Sequence, residues 1–367
     1  MENKNWTEYK FSEFVNINPF VSLKANEEYS FVEMKDLEDG NKYCFPKIKK
    51  IKGGGSKFQN GDTLFARITP CLENGKICQV KGLENNLGFG STEFYVFRGK
   101  EDISDTEFVY YLSRWNDVRD HAEINLDGTS GRQRVPKASF DDLIIQMPEL
   151  PEQKAIASVL SSLDDKIDLL HQQNQTLEAL AETLFRQWFI VDAKEDWEEV
   201  KLEMLISIGS GKSLKKECFI ATGKYPILGA NGEIGRTNEF LFDEKLIYTG
   251  RVGTLGNVFR IENEKVWLSD NTLVIKPIDY YNFIYFVLKF SKLDNYDVGS
   301  TQPLIRQSDI KEIEIKLPAS EILTMFENLT NIYFNKIKEN SKQIQTLTQL
   351  RDTLLPKLMS GEVRVKV

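Results

Sequence analysis

The densest run of one residue type in this chain is KYCFPKIKKIKGGGSK, in which Lys42, Lys47, Lys49, Lys50, Lys52 and Lys57 accompany Ser56 and three consecutive glycines. Lysines on flexible backbone suit contact with phosphate, which positions a partner without reading it. The bland alternative is a solvated hairpin loop. The chain as a whole carries a formal net charge of −8, however, and so dense a basic patch inside an acidic protein favours phosphate binding. The bulk charge argues against indiscriminate nucleic-acid binding and leaves local patches open.

Other chemistry has little material. The only histidines are His121 and His171, which starves Ser-His-Asp and Cys-His arrangements and rules out a multi-histidine metal site. The four cysteines, Cys44, Cys71, Cys78 and Cys218, include no CxxC pair, and scattered thiols fit a reducing cytoplasm. The opening MENKNWTEYK is too polar for a signal peptide, and apolar runs such as FIYFVL (Phe283–Leu288) are too short to span a bilayer. These features predict a cytoplasmic, non-membrane binding protein.

The elements that must position such residues come in two copies. QNQTLEALAETLF (Gln173–Phe185) returns as QIQTLTQLRDTLL (Gln343–Leu355), an offset of 343 − 173 = 170 residues. WTEYKFSEFVNINPFVSLK (Trp6–Lys24) resembles WEEVKLEMLISIGSGKSLK (Trp197–Lys215), an offset of 197 − 6 = 191. Between the copies lie short aromatic and β-branched runs punctuated by glycine, which predict twisted, mostly antiparallel sheet. Helical stretches are expected at Thr106–Val118 and Tyr281–Leu293, each followed by a polar turn and a last strand, DDLIIQMP or KEIEIKLP.

The segments after those prolines have helical periodicity. Ile156, Leu160, Leu163, Ile167, Leu170, Asn174, Leu177, Ala181, Leu184 and Trp188 step alternately by four and three, an a/d seam with Asn174 as its polar member. From Glu152 to Trp188 such a helix would be roughly 55 Å long at about 1.5 Å per residue. A looser seam runs through Phe326, Tyr333, Ile337, Asn340, Ile344 and Leu347, then Leu350 and Leu354 after a slip, with Pro356 and Gly361 expected to end it. The two helices should pack antiparallel, with a globule at each end of the rod.

LPEQKAIASVLSSLDDKIDLLHQQNQTLEALAETLFRQWF (Leu150–Phe189) and LRDTLLPKLMSGEVRV (Leu350–Val365) resemble the repeated regions of type I restriction–modification specificity subunits. LFARITPCLENGKI (Leu64–Ile77) and YPILGANGEIGRTNEF (Tyr225–Phe240) resemble recurrent patterns of their recognition domains. The resemblance covers the whole chain in order. It implies an α+β fold: two target recognition domains, at 1–150 and 193–318, separated by spacer helices at 151–192 and 319–367 packed as an antiparallel coiled coil.

It also implies a subunit that catalyses nothing itself. Each globule would read half of an interrupted target in double-stranded DNA, and the helices would set the gap and dock two methyltransferase subunits. S-adenosylmethionine would be held by that partner, which flips the adenine, and nuclease–translocase subunits could join. A gap of roughly 5–8 base pairs follows from half-sites one helical turn apart. The residues alone leave open a coiled-coil scaffold that binds no DNA.

Base reading needs directional donors and acceptors, above all Arg on guanine and Asn or Gln on adenine. Candidates in the first globule are Arg67, Thr69, Glu73, Asn74 and Lys76; those in the second are Asn231, Arg236, Arg251, Thr254 and Asn257. Arg67 and Arg251 follow similar strand patterns, LFARI and IYTGRV. The polar turns before the last strands add Arg132, Arg134 and Arg306, whereas Gln133 and Gln302 recur in both copies and read as structural. GSGKS (Gly209–Ser213) is not a P-loop, because Ile206 stands where that motif needs glycine. It is a variable loop whose Lys212, with Lys215 and Lys216, could contact DNA.

Overall fold

The computed structural model describes residues 6–129, 131–253, 255–296 and 303–366. The chain divides into two compact units, 1–172 with 340–367 and 173–339. Each therefore takes one globular segment and a stretch of both long helices: the start of one with the end of the other. That pairing is antiparallel.

In the first unit, strand Thr7–Lys10 pairs with the last strand, Ile144–Met147, so the globule closes just before the long helix begins at Leu150. A five-stranded sheet runs in the order Val15–Ile17, Phe94–Gly99, Thr63–Ala66, Ile77–Val80, Tyr43–Cys44. Its strands Thr63–Ala66 and Ile77–Val80 are buried at every residue, and the buried Gln79 amide donates to the Gly61 carbonyl and to Glu107. A second sheet runs Ile48–Ile51, Glu28–Val32, Leu87–Gly90, Lys57–Gln59. Phe11, Phe14, Phe65, Phe97, Phe108 and Phe140 fill the core. The expected helix is broken at Trp115, whose backbone is extended, into Thr106–Arg114 and Asn116–Ile124. Asp105 caps the first piece by accepting the Phe108 N–H at 3.0 Å.

The second unit repeats this plan. Glu198–Lys201 pairs with Glu314–Leu317, and a sheet runs Ile206–Ser210, Thr272–Pro277, Leu246–Gly250, Val258–Ile261. The registers carry the offsets seen in the sequence. Thr7 opposes Met147 and Glu198 opposes Leu317, so the offsets are 198 − 7 = 191 and 317 − 147 = 170. The smaller sheet in each unit contains one parallel pair, Phe31 beside Phe89 and Ile227 beside Trp267. The helix Tyr281–Phe290 stops short of its expected end at Leu293.

The long helices span Leu150–Arg186, followed by a π turn at Gln187–Val191, and Ser320–Met359. Ile156, Leu160, Leu355, Leu358 and Met359 join the first core; Ala181, Phe185, Leu323 and Phe326 join the second, with Trp188 and Phe189 against it. Of the seam residues, Ile156, Leu160, Ile167, Leu170 and Asn340 are buried. Leu163, Asn174, Leu177, Leu184, Ile337, Ile344, Leu347 and Leu354 are half-buried, Leu354 packing against the first core and Leu184 against the second.

Two expectations for the second helix need correction. Leu350 is exposed, and the neighbouring buried position is Arg351. Pro356 lies inside the helix, which continues to Met359. A proline in a final turn forfeits one backbone bond, and the burial of Leu355, Leu358 and Met359 offsets that loss.

Candidate nucleic-acid interface

The lysine run is not a loop. Ile48–Ile51 is an edge strand, exposed along its whole length, held by Tyr29 opposite Lys50 and Ser30 opposite Lys49. Exposed lysines on an edge also discourage edge-to-edge aggregation. Several already face carboxylates: Lys47 lies 3.7 Å from Asp36, Lys49 2.5 Å from Glu84 and Lys50 3.6 Å from Glu33. Lys52 and Lys57 are half-buried at its margins. Ser56 is structural, its hydroxyl donating to the Phe94 carbonyl at 2.7 Å. Gly55 beside it has φ +131°, and a Cβ there would lie 2.0 Å from the Gly90 oxygen.

Lys42 leaves the patch altogether. Its side chain is buried and pairs with Glu107, and its ammonium donates to Ser161 Oγ at 3.0 Å. Burial alone would raise the Glu107 pKa, but the Lys42 charge, with hydrogen bonds from Lys42, Gln79 and Ser161, outweighs it and holds the carboxyl below its ordinary value.

A cleft of about 410 Å³ is lined by Asn18, Arg67, Tyr95, Asp127, Arg134 and their neighbours. Arg67 follows the strand Thr63–Ala66; its Nε donates to Glu93 Oε2 at 3.3 Å and its guanidinium carbon lies 5.3 Å from the Tyr95 ring centre. Arg134 reaches the same carboxylate with Nε at 2.9 Å and Nη2 at 2.6 Å. Hydrogen bonding from Arg134, then the two positive charges and the Arg67 bond, hold Glu93 below the usual carboxylate range despite partial burial. Glu93 was not among the sequence candidates. It sits in GSTEFYVF with no local signal, and its role exists only because the fold brings Arg67 and Arg134 to it.

The other candidates of the first unit divide. Asn74 and Arg132 are exposed. Thr69 is buried and tied to Gln133 by two hydrogen bonds, Thr69 N–H to the Gln133 carbonyl at 3.0 Å and Gln133 N–H to the Thr69 hydroxyl at 3.1 Å. Lys76 donates to the carbonyls of Met34 and Leu37 at 2.9 and 3.0 Å. Both hold the fold in place of the exposed reading role expected of them.

In the second unit, Arg251 stands where Arg67 stands in the first. Arg67 N–H donates to the Glu93 carbonyl at 3.0 Å and Arg251 N–H to the Asn271 carbonyl at 2.8 Å. Val135 N–H bonds the Arg67 carbonyl at 2.9 Å and Ile305 N–H the Arg251 carbonyl at 3.0 Å. Asn231 and Asn257 meet at 2.8 Å on an exposed surface. Arg236 is occupied by the carbonyls of Gly223 and Lys224 and by Glu233. Lys212, Lys215, Lys216 and Arg306 are exposed. Thr254 and Gln302 lie outside the described residues. Among the described residues no group of three or more His, Cys, Asp or Glu could hold a metal ion, and no helix is long and apolar enough to cross a membrane.

Residues 3–179 and 194–348 match the family model described as the type I restriction modification DNA specificity domain. The chain belongs to that family. The specificity subunit is 28% identical to the type I restriction enzyme MjaIX specificity subunit of Methanocaldococcus jannaschii, over 95% of this chain and 87% of that protein. It is 24% identical to the HindI specificity subunit of Haemophilus influenzae, over 98% of this chain and 100% of the other. The fold is shared with the crystal structure of a type I restriction–modification S subunit from M. genitalium, with a TM-score of 0.60 and 21% identity over 98% of this chain and 97% of that one. As a specificity subunit the chain is a non-catalytic component that determines DNA target recognition. Membership of such a complex brings DNA, methyltransferase and restriction subunits as partners and sets aside the scaffold that binds no DNA.

Proposed function

We propose that each unit reads one half of an interrupted double-stranded target and that the long helices set the spacing. The recognition domains are assigned to 1–150 and 193–318, the spacers to 151–192 and 319–367. The observation that carries this reading is the duplicated fold: four strands in the same order and in the same registers in each unit, bearing different side chains on matching surfaces. Equal frames with unequal readers suit a bipartite target. Lys47, Lys49, Lys50, Lys52 and Lys57, with Lys212, Lys215 and Lys216, supply phosphate contact; Arg67, Asn74, Arg132, Arg134, Asn231, Arg251, Asn257 and Arg306 are the base-facing set.

The helices dock two methyltransferase subunits, one on each repeat. Gln173, Gln175, Thr176, Leu180 and Thr183 are exposed, and so are Gln343, Gln345, Thr346, Leu350 and Thr353. Core packing does not demand the same exposed residues twice; a partner present in two copies does. S-adenosylmethionine and the flipped adenine belong to that partner, nuclease–translocase subunits join the same complex, and the cytoplasm is its compartment.

The test is a set of duplexes in which the gap between half-sites, roughly 5–8 base pairs for half-sites one turn apart, is lengthened or shortened by one base pair. Loss of binding by the methyltransferase-bound subunit is expected; tolerance of any gap overturns the spacing role.

A further inference from the structure

We propose that Glu93 is a positioning residue that makes Arg67 a base reader in the first unit, a device with no counterpart in the second. The inference rests on the reading that this face meets DNA. An arginine on an unrestrained stem finds phosphate as readily as a base, and reading guanine takes two parallel donors held in one plane. Arg67 is held on three sides. Its Nε is bonded to Glu93, its guanidinium lies over Tyr95, and its backbone is pinned between Glu93 and Val135. The terminal nitrogens make no hydrogen bond among the described residues, so the edge left over is the two-donor edge. Glu93 also fixes Arg134 through Nε and Nη2. Arg67, Arg134 and Lys137 against Glu93 and Asp127 leave the cleft with a formal charge of 3 − 2 = +1, attractive to DNA.

The second unit lacks each part of this device while keeping its frame. Strand pairing sets Phe94 opposite Ala66 and Thr272 opposite Gly250, so Glu93 and Asn271 hold the same place beside Arg67 and Arg251. Asn271 is exposed and uncharged, and Leu304 stands for Arg134, 304 − 134 = 170. The Nε of Arg251 is buried without a hydrogen-bond partner among the described residues. The chain thus carries its own comparison: one arginine buttressed by a carboxylate, one not.

The experiment maps N6-methyladenine by sequencing in cells carrying the whole complex with the wild-type chain, Glu93→Gln or Asn271→Glu. For Glu93→Gln, discrimination at one base pair of one half-site should fall roughly tenfold, with the other half-site and the gap unchanged. Asn271→Glu should change only the other half-site. Wild-type discrimination at both half-sites in Glu93→Gln, or a loss spread evenly over both, overturns the proposal. If Glu93→Gln abolishes methylation, Asn271→Glu decides: a changed second half-site supports the device, an unchanged one overturns it. A wild-type complex that methylates no split motif contradicts the DNA-reading function itself.

Discussion

Asp164 and Arg351 form a buried ion pair, 2.7 Å between Oδ1 and Nη1, at positions whose repeat counterparts are Phe334 and Ala181. The offsets are 334 − 164 = 170 and 351 − 181 = 170. Two duplicated helix positions are thus filled by charge in the first unit and by apolar packing in the second. In the first unit Asp164 also accepts the Tyr111 hydroxyl at 2.7 Å, and Arg351 donates to the Gly40 carbonyl at 2.8 Å. Both charges are thus paired and hydrogen-bonded in a site closed to water.

Arg351→Met should therefore destabilise the protein by about 3–5 kcal/mol, because it strands the Asp164 carboxylate in a dry site. Asp164→Leu combined with Arg351→Leu should cost less than the sum of the single changes. Urea denaturation of Asp164→Leu, Arg351→Leu and their combination measures the coupling; strict additivity would show that the pair is not a unit.

The Lys42–Glu107 contact makes stability pH-dependent. Glu107 has a folded-state pKa below its ordinary 4.5, so its contribution is present above that value and lost as pH falls through the folded one. Thermal melting should show Glu107→Gln less stable than wild type at neutral pH, with the difference shrinking below pH 4.5. A constant difference across that window contradicts the assignment.

Lys49→Ala with Lys50→Ala should weaken binding to matched and unmatched duplexes alike. The slope of log affinity against log salt should fall by about 0.9 for each phosphate that is no longer neutralised. A selective loss on the matched duplex would make the edge strand a base reader instead.

Arg67→Lys should cost about 1–3 kcal/mol of discrimination at one base pair of one half-site, because an ammonium cannot replace the two-donor edge; Arg251→Lys should cost less in the other half-site, since no carboxylate fixes its guanidinium. Competition binding with single-base variants of the target measures it; uniform weakening for every sequence would place these arginines on phosphate.

Leu180 and Leu350, each 45% exposed, should anchor the docked methyltransferase copies. Glutamate at either position should leave folding intact and remove one copy, and glutamate at both should remove two, as read by native mass spectrometry. Full occupancy in the double variant would place docking elsewhere.

The duplication was legible because both offsets survive in strand register: Thr7 and Glu198 sit at the same place in their sheets, as do Met147 and Leu317. The long helices were legible from their heptad spacing. Tertiary context was not. KIKKI has two apolar residues among lysines and reads as a solvated loop, yet pairing with Glu28–Val32 makes it a strand. Lys42 belongs to that run in sequence and to the core in space, because Glu107 and Ser161 lie far along the chain. Lys76 looks like a loop cation until the carbonyls of Met34 and Leu37 are seen around it. Glu93 carried no signal at all, since its two partners come from different loops.

The most direct test of the account is sequencing of the source genome for N6-methyladenine with and without this gene. Deletion should erase methylation at one split motif with a constant gap. Methylation that persists while the partner methyltransferase is expressed, or that disappears from an uninterrupted motif, would contradict it.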